Sequence, residues 1–571
     1  MQFLSSLRAA TRLGLAAALL LVWGSHLEAY AQSPNWQWGH RLGGSTSNSP
    51  SGYYDQAARP AADAAGNTYV TGGYDSPATF SGSATTLPHA GQLDVMVAKY
   101  DSLGRLRWAR GAGGTRYDTG AATACDLSGN VFVVGITETG FTFPGTVLGP
   151  SGGGGFVAKL DSTGAVLWAK RIGSRNAGVL PGSAAVDGFG NCLVLASRAD
   201  SLTIGGVRLP RPSNGTYDFL LISYDVGGTV NWVRTITPSA ANGNLGADRA
   251  AVATDLNGNV YVSGTVGQGT VQIGPGIQSG ITASYGLFLA KYNSAGVPQW
   301  VRTVPLASAG GLAAEARGRF LYLCGEATRG ATFGSIGVTP VNNEEAFVSR
   351  FSPQGTFAWV RTGGGPNVPN LGQGVAVNRR GDTFLAAAVG DSPAVFGNTS
   401  FSWPFATYRT VVVRYDSTGV VRGGLATTLE SAKPSGIALS GDFAPVVTFD
   451  SYRTVGLGTA PSIMTQGLFD MGLARADFRN RLLSVRAGTV DAASWVLFPN
   501  PARESVRLRL PVGVLSATMR LADLQGREVV VKRVDLANVS VPLPRLATGV
   551  YLVTLVPDGG QPASTHRLVV E

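Results

Sequence analysis

One segment of this chain keeps returning. Asp-x-x-Gly-Asn followed by an alternating apolar run occurs as DAAGNTYVTG from Asp63, DLSGNVFVVG from Asp126, DGFGNCLVLA from Asp187 and DLNGNVYVSG from Asp255. Weaker copies begin at Glu315, Asn378 and Ala438, about sixty residues apart like the others. A unit of that length holds three or four short strands and cannot bury its apolar face alone. The seven starts therefore predict an all-β toroid of small sheets, each stacked on its neighbours.

Two further segments ride on each unit. The first is an aromatic or aliphatic residue close to a glycine, as at Phe80/Gly82, Phe143/Gly145, Phe333/Gly334 and Phe396/Gly397. The second is VAKLDSTGAVLWAK from Val157, with relatives from Val97, Leu221, Leu289, Val348 and Val412. In its Asp-x-x-Gly the carboxylate can accept a backbone N–H two residues on, and the glycine takes the positive-φ corner of a tight hairpin. Trp38, Trp108, Trp168, Trp232, Trp300 and Trp359 fall at one position of the last strand, with Gly423 in that place in the last copy. A tryptophan there can bury on the order of 200 Å² against an adjacent sheet. The cation two residues later (His40, Arg110, Lys170, Arg234, Arg302, Arg361) reads as a side chain that snorkels past its tryptophan or pairs locally.

The ends of the repeat array show how the ring closes. The first Trp strand, Asn35–Gly44, lacks the rest of its own unit, and the seventh unit stops near Asp477 before any Trp strand. The N-terminal strand is expected to complete the seventh sheet and leave no free edge. Arg481–Gly488 is a rival for the same place.

Composition agrees with export. Arg8 and Arg12 precede the apolar run Leu13–Trp23, and Ala29 and Ala31 supply the small residues of a cleavage site, so residues 1–31 read as a signal peptide. Nothing later has the length and apolarity of a membrane-spanning helix. The formal charge of +10 is spread singly along strands with no basic run, which argues against a nucleic-acid partner. Cys125, Cys192 and Cys324 are too few and too scattered for a disulfide framework. Beyond residue 31 only His40, His89 and His566 remain, so a histidine-based metal site or general base has little to be made from.

These repeats resemble the SBBP-type repeats of seven-bladed β-propellers, with their "D..GN.YV.G", "F.G" and "D..G...W" elements, over roughly Trp36–Phe478. The resemblance implies the fold and export, not one activity. Quinone-dependent propeller dehydrogenases also carry an Asp…Gly…Trp signature, but their glycine stands four residues after the aspartate, and here it stands three. No cofactor is expected. After Arg479 the repeat vanishes. Phe498-Pro499-Asn500-Pro501, Asp523 through Gly526-Arg527, Gly549 with Tyr551, and Arg567 near the end resemble the type A sorting domain of the type IX secretion system of Bacteroidetes. That implies residues 32–478 as propeller, 479–494 as linker and 495–571 as a small immunoglobulin-like β-sandwich. The implied partners are the secretion machinery and its sorting-domain peptidase.

The expected product is a monomeric propeller, released or held at the outer cell surface, that binds a glycan or protein through its loops. Loop aromatics (Tyr74, Tyr217, Tyr285, Trp403, Phe405, Tyr408) suit such a surface. The alternative is a polysaccharide lyase or hydrolase with a site assembled non-locally in the channel. Asp94, Asp118, Asp218 and Asp248 are single and unpaired in sequence. A pair of carboxylates, or a Tyr/Arg/His group, at one mouth of the ring would favour the enzyme.

Overall fold

The computed structural model describes residues 34–44, 55–138, 142–143, 146–147, 153–173, 178–212, 217–239, 250–366, 369–404, 407–429, 431–465, 469–479, 496–509, 516–523, 527–535, 540–558 and 564–571. The expected signal peptide with Ala29 and Ala31, the linker and Gly526 lie outside these residues. So do Phe405, Asp248 and the rival strand Arg481–Gly488. Ser33–Arg479 forms one compact unit, and Asn480–Glu571 falls in a second. All regular structure among the described residues is β.

Each repeat folds as an antiparallel four-strand meander, because its alternating apolar runs are separated by tight Asp-Gly turns. Blade 2 is typical: Asp118–Cys125, Val131–Thr137, Gly154–Leu160 and Val166–Ile172 pair in that order. In blades 1 to 3 the second and third strands are buried along nearly their whole length, since they are covered by sheets on both faces. In blade 4 their paired halves Val260–Gly267 and Gly286–Tyr292 are mostly buried while the rest projects. The first strand of each blade packs on the first strand of the next, all the way round, and the strand at Ala432–Leu439 returns to Ala61–Ala62 of blade 1. The seven sheets therefore close a ring. The seventh consists of Ala432–Leu439, Pro445–Tyr452, Phe469–Asp477 and the N-terminal strand Asn35–Gly43, with Trp36 opposite Ala476 and His40 opposite Leu473.

Small residues let the innermost strands meet. A Cβ on Gly310 would lie 1.8 Å from the carbonyl oxygen of Gly372 in the next blade, so only glycine fits this backbone-to-backbone contact. The inner strands of blades 2, 3, 5, 6 and 7 also share a register shift at their third or fourth residue. Such a bulge raises the local twist and turns each inner strand along the narrow axis.

The extra length of each repeat is used between strands two and three. There a short hairpin forms, as at Ala78–Phe80 with Thr86–Leu87 and Ala394–Phe396 with Thr399–Phe401. It leans on the outer strand of the preceding blade: Phe80 pairs with Leu42, and Phe396 with Gly363. Phe80, Phe143, Phe333 and Phe396 are buried there, so these connections tie blades together.

The tail has a three-stranded sheet (Val496–Phe498, Ser505–Arg509, Ser540–Pro542) and a four-stranded sheet (Glu528–Asp535, Ser516–Ala522, Gly549–Pro557, Ser564–Val570). Leu497, Val506, Leu508 and Val541 from the first share one apolar cluster with Met519, Leu521, Val553 and Leu568 from the second. The alternation of buried and exposed residues along Ser516–Ala522 is what one buried sheet face requires.

Candidate functional site at the loop-bearing mouth of the ring

The meander puts the first-to-second turn of every blade and the third-to-fourth turn of blades 1 to 6 at one end of the ring, and all other connections at the opposite end. At the first end each Asp turn is saturated. Asp126 accepts the backbone N–H of Ser128 at 3.0 Å and of Asn130 at 2.9 Å with one oxygen, and the Asn130 amide at 2.7 Å with the other. Asp63, Asp187 and Asp255 bind their own turns in the same way. In blade 6 the polarity is exchanged: Asn378 takes the aspartate's place, and its side-chain N–H donates to Asp382 at 3.2 Å.

Every Trp at the repeated position reaches over a turn of the following blade. Trp108 Nε1 donates to the Ser162 carbonyl at 3.0 Å, and its ring covers Gly164, whose Cβ would lie 2.8 Å from the indole. Trp38, Trp168, Trp232, Trp300 and Trp359 do the same to Ser102, Val226, Ser294, Pro353 and Ser417. Arg110, Arg234 and Arg361 flank their tryptophans and donate to the carbonyl of the turn glycine at 3.0, 2.6 and 3.0 Å. Gly423 now has a reason. The seventh blade has no turn between its third and fourth strands, because the fourth is Asn35–Gly43 from the start of the repeat array, so a tryptophan in blade 6 would have nothing to cover. Pro34 lies there instead.

The opposite end is irregular, and its acids serve as staples. Asp55 accepts the N–H of Gly44 at 2.7 Å and of Asp75 at 3.0 Å, joining two connections. Asp118 does so with Gly114 and Glu138, and Asn370 accepts from Gly365. Asp94 accepts from Ala90 at 2.6 Å, and Asp218 pairs with Arg198 at 2.6 Å. Burial pushes Asp94 up to about 6 against the Ala90 N–H, and Asp118 up to about 6 against its hydrogen bonds. Tyr74, expected on a loop surface, is instead buried and donates to the Pro88 carbonyl.

At this end two depressions share Gln56, Lys433 and Asp450. One, of about 570 Å³, is walled by Asp55, Tyr408, Ser431 and Tyr452. The other, of about 640 Å³, runs over Arg59, Gly120, Pro181 and Gln373 to the exposed Tyr217. Together they form a groove from the rim of blades 6 and 7 across the axis. Its floor is closed by Arg59, whose guanidinium donates to the Ala250 carbonyl at 2.8 Å and the Gly310 carbonyl at 3.0 Å, in blades 4 and 5. Beneath it, inner-strand residues of all seven blades enclose a cavity of only about 120 Å³.

Lys433 Nζ stands 4.1 Å from the centre of the Tyr408 ring. Asp450 accepts the Ala57 N–H at 2.7 Å, and burial pushes it up to about 6 against that bond and the Lys433 charge. Asp55 is driven well above the usual carboxylate range by burial and by the nearby Asp470 and Asp75. On the rim, Leu429 and Arg453 hold left-handed φ values of 70° and 60°, strain of a kind that collects at binding and switching sites. Two carboxylates, a lysine and two tyrosines thus converge at one mouth. Among the described residues no group of three or more His, Cys, Asp or Glu is placed to hold a metal ion. Cys125, Cys192 and Cys324 are free thiols, and burial pushes Cys324 up to about 12.

The tail motifs are joined end to end. Asn500 accepts the Val569 N–H at 2.8 Å and donates to the Arg567 carbonyl at 2.8 Å, so the first motif clips the last strand. Gly549 and Tyr551 lie opposite Val570 and Leu568 on that strand, and the Tyr551 hydroxyl donates to the Ala547 carbonyl. Phe498 is half exposed and pairs with Arg507. Asp523 brackets its turn by accepting both the backbone N–H and the guanidinium of Arg527, at 2.9 and 3.1 Å.

Residues 496–571 match the family described as the secretion system C-terminal sorting domain. The chain is therefore an all-β propeller protein whose tail is a sorting domain of that family. Such a tail marks it for export by the type IX system, to the cell surface or the extracellular space. The uncharacterized WD repeat-containing protein L264 of Acanthamoeba polyphaga mimivirus is 27% identical over 231 residues, 34% of this chain and 16% of that protein. The chain thus spans about one-sixth of that relative's length. Among solved structures, the C-terminal WD40 domain of Sif2 aligns over 78% of this chain and 99% of its own, at 9% identity and a TM-score of 0.37. PorZ, a surface component of the type IX secretion system of Porphyromonas gingivalis, aligns over 91% and 99% at 10% identity and a TM-score of 0.14. The closed ring rests on strand pairing and not on these alignments.

Sequence reasoning passed over the groove. Asp450 occupies the second-strand position held by Gly73 in blade 1, Ile136 in blade 2 and Glu326 in blade 5, a variable place in an otherwise regular strand. That variability was a readable signal. Arg59-Pro60 was another, standing where other inner strands have Gly-Ala-Ala or Gly-Ser-Ala.

Proposed function

We propose that this is an SBBP-type propeller made with a signal peptide, exported by the type IX machinery, and used outside the cell to bind a saccharide or protein in the axial groove. The observation that carries the reading is the convergence of Tyr408, Tyr452, Lys433 and Asp450 at the loop-bearing mouth, beside a strained rim. Tyrosine faces and short polar groups on a rigid ring suit a ligand with apolar faces and hydroxyl edges. The sorting domain would be read by the outer-membrane translocon and removed by its peptidase. A glycan array and surface-binding assay on the secreted chain should give hits that Tyr452→Ala together with Lys433→Ala abolish. Blank arrays with turnover of a polysaccharide would sink the binding role. Deletion of residues 496–571 should hold the chain in the periplasm, and undiminished secretion would refute the export route.

The enzyme reading has one observation in its favour. Asp55 and Asp450 line the same depression, and Asp450 titrates close to the range of a general acid or base. Reducing-end or unsaturated-product assays on acidic and neutral polysaccharides, with Asp450→Asn as the control, separate it from simple binding.

A further inference from the structure

The tight-turn end of the ring is polarised in a way its architecture does not require. A saturated Asp-x-x-Gly turn needs the Asp and the Gly, and leaves the two middle residues free. In blades 1 to 4 those places, on turns that all face the same way, hold Leu103, Leu127, Phe189, Val226 and Leu256, which are 48–79% exposed. Singly exposed apolar residues are ordinary, but several gathered on one surface mark an interaction site. These are gathered. Val226 Cγ1 lies 3.2 Å from the place of a Cβ on Gly190, Phe189 Cε2 lies 3.0 Å from that of Gly258, and Gly188 abuts the Leu256 backbone. Blades 5 and 6 put exposed Arg317, Arg379 and Arg380 at the corresponding turns.

We propose that this end of the ring docks on an anionic lipid surface, with the apolar arc entering the headgroup layer and the arginines meeting lipid phosphates. Three observations favour lipid over a protein partner. The apolar side chains stand at the tips of successive hairpin turns, 48–79% exposed, as side chains entering a headgroup layer would. The backbone beneath them is already satisfied: Asp101, Asp126, Asp187, Asp225 and Asp255 each accept two N–H groups of their own turn. Two N–H donors of each turn are therefore satisfied within the turn and need no water partner. Finally, the formal charge of +10 and the adjacent basic arc supply the electrostatic half of interfacial binding.

Vesicle sedimentation of the full secreted chain tests this. The chain should pellet with phosphatidylcholine vesicles that contain phosphatidylglycerol, and remain in solution with phosphatidylcholine alone or at high salt. Leu127→Ser with Phe189→Ser, and separately Arg317→Gln with Arg379→Gln, should each lower binding about tenfold with unchanged unfolding midpoints. Val395→Ser, an exposed apolar residue on an inter-blade hairpin, should bind as the parent does. No pelleting with anionic vesicles, or pelleting of either paired variant equal to that of the parent, overturns the proposal. Retention by protease-sensitive cell-surface material in the absence of vesicle binding would give the face to a protein partner and likewise overturn it.

Discussion

The two ends of the ring are made from the same strands and obey different rules. At the tight-turn end one solution is repeated: an aspartate saturated by its own turn, and a tryptophan from the preceding blade laid over a glycine. At the opposite end each connection differs, its acids staple neighbouring loops, and one stretch is hollowed into a groove. Structure that must recur in every blade is confined to the turns. Freedom to vary is left to the connections, where a ligand site can be assembled from Tyr408, Lys433 and Asp450 together with Asp55, which stands hundreds of positions earlier.

The largest expected effect tests the repeated end. Trp108→Ala removes a buried indole and a hydrogen bond from between two blades and should lower stability by about 3 kcal/mol, read as a shift of the denaturant midpoint at constant slope. A change under about 1 kcal/mol would show that the turn end is not what holds blades together.

The next effect sharpens the comparison, because the two ends respond oppositely to pH. Asp94, Asp118 and Asp450 sit at about 6 in the folded chain, above the ordinary 3.8. Their contribution is fully present below pH 3.8 and is lost as pH rises through about 6. At the turn end, some desolvation acts on Asp416, but hydrogen bonds from Thr418, Val420 and Arg422 outweigh it and hold the carboxyl at about 2. Its contribution is present above pH 3.8 and lost as pH falls through about 2. Asp450→Asn should flatten the decline in stability between pH 4 and pH 7, and Asp416→Asn should cost stability at neutral pH but not at the acid limit. Parallel pH profiles for parent and Asp450→Asn would refute the assignment.

The smallest effect lies on the groove rim. Leu429 is exposed with a φ of 70°, so Leu429→Gly should relieve strain and raise stability by up to about 1 kcal/mol. If the rim is part of the binding site, the same variant should weaken ligand retention while the protein grows more stable.

Much of this was legible in the sequence, for a physical reason. Turn chemistry and strand alternation are local, so Asp126–Gly129 and Asp161–Gly164 declared their hairpins. Sixfold recurrence of tryptophan at one strand position declared a stacking surface. Even the missing tryptophan at Gly423 carried information, since it precedes the blade where the two ends of the repeat array meet. The tail motifs were readable because Asn500 must meet the last strand, which keeps their order and their terminal place. Other features belong to the tertiary structure alone. Arg59 closes the axis only because ring closure brings Ala250 and Gly310 within reach of its guanidinium, 191 and 251 residues away. Asp450 joins Asp55 and Tyr408 only because the N-terminal strand completes the seventh blade. The repeat and its turns were readable from the residues alone because they are set by contacts between near neighbours in the chain, and the export tail because its motifs keep a fixed order. The groove was decided by long-range closure, which no single stretch of residues encodes.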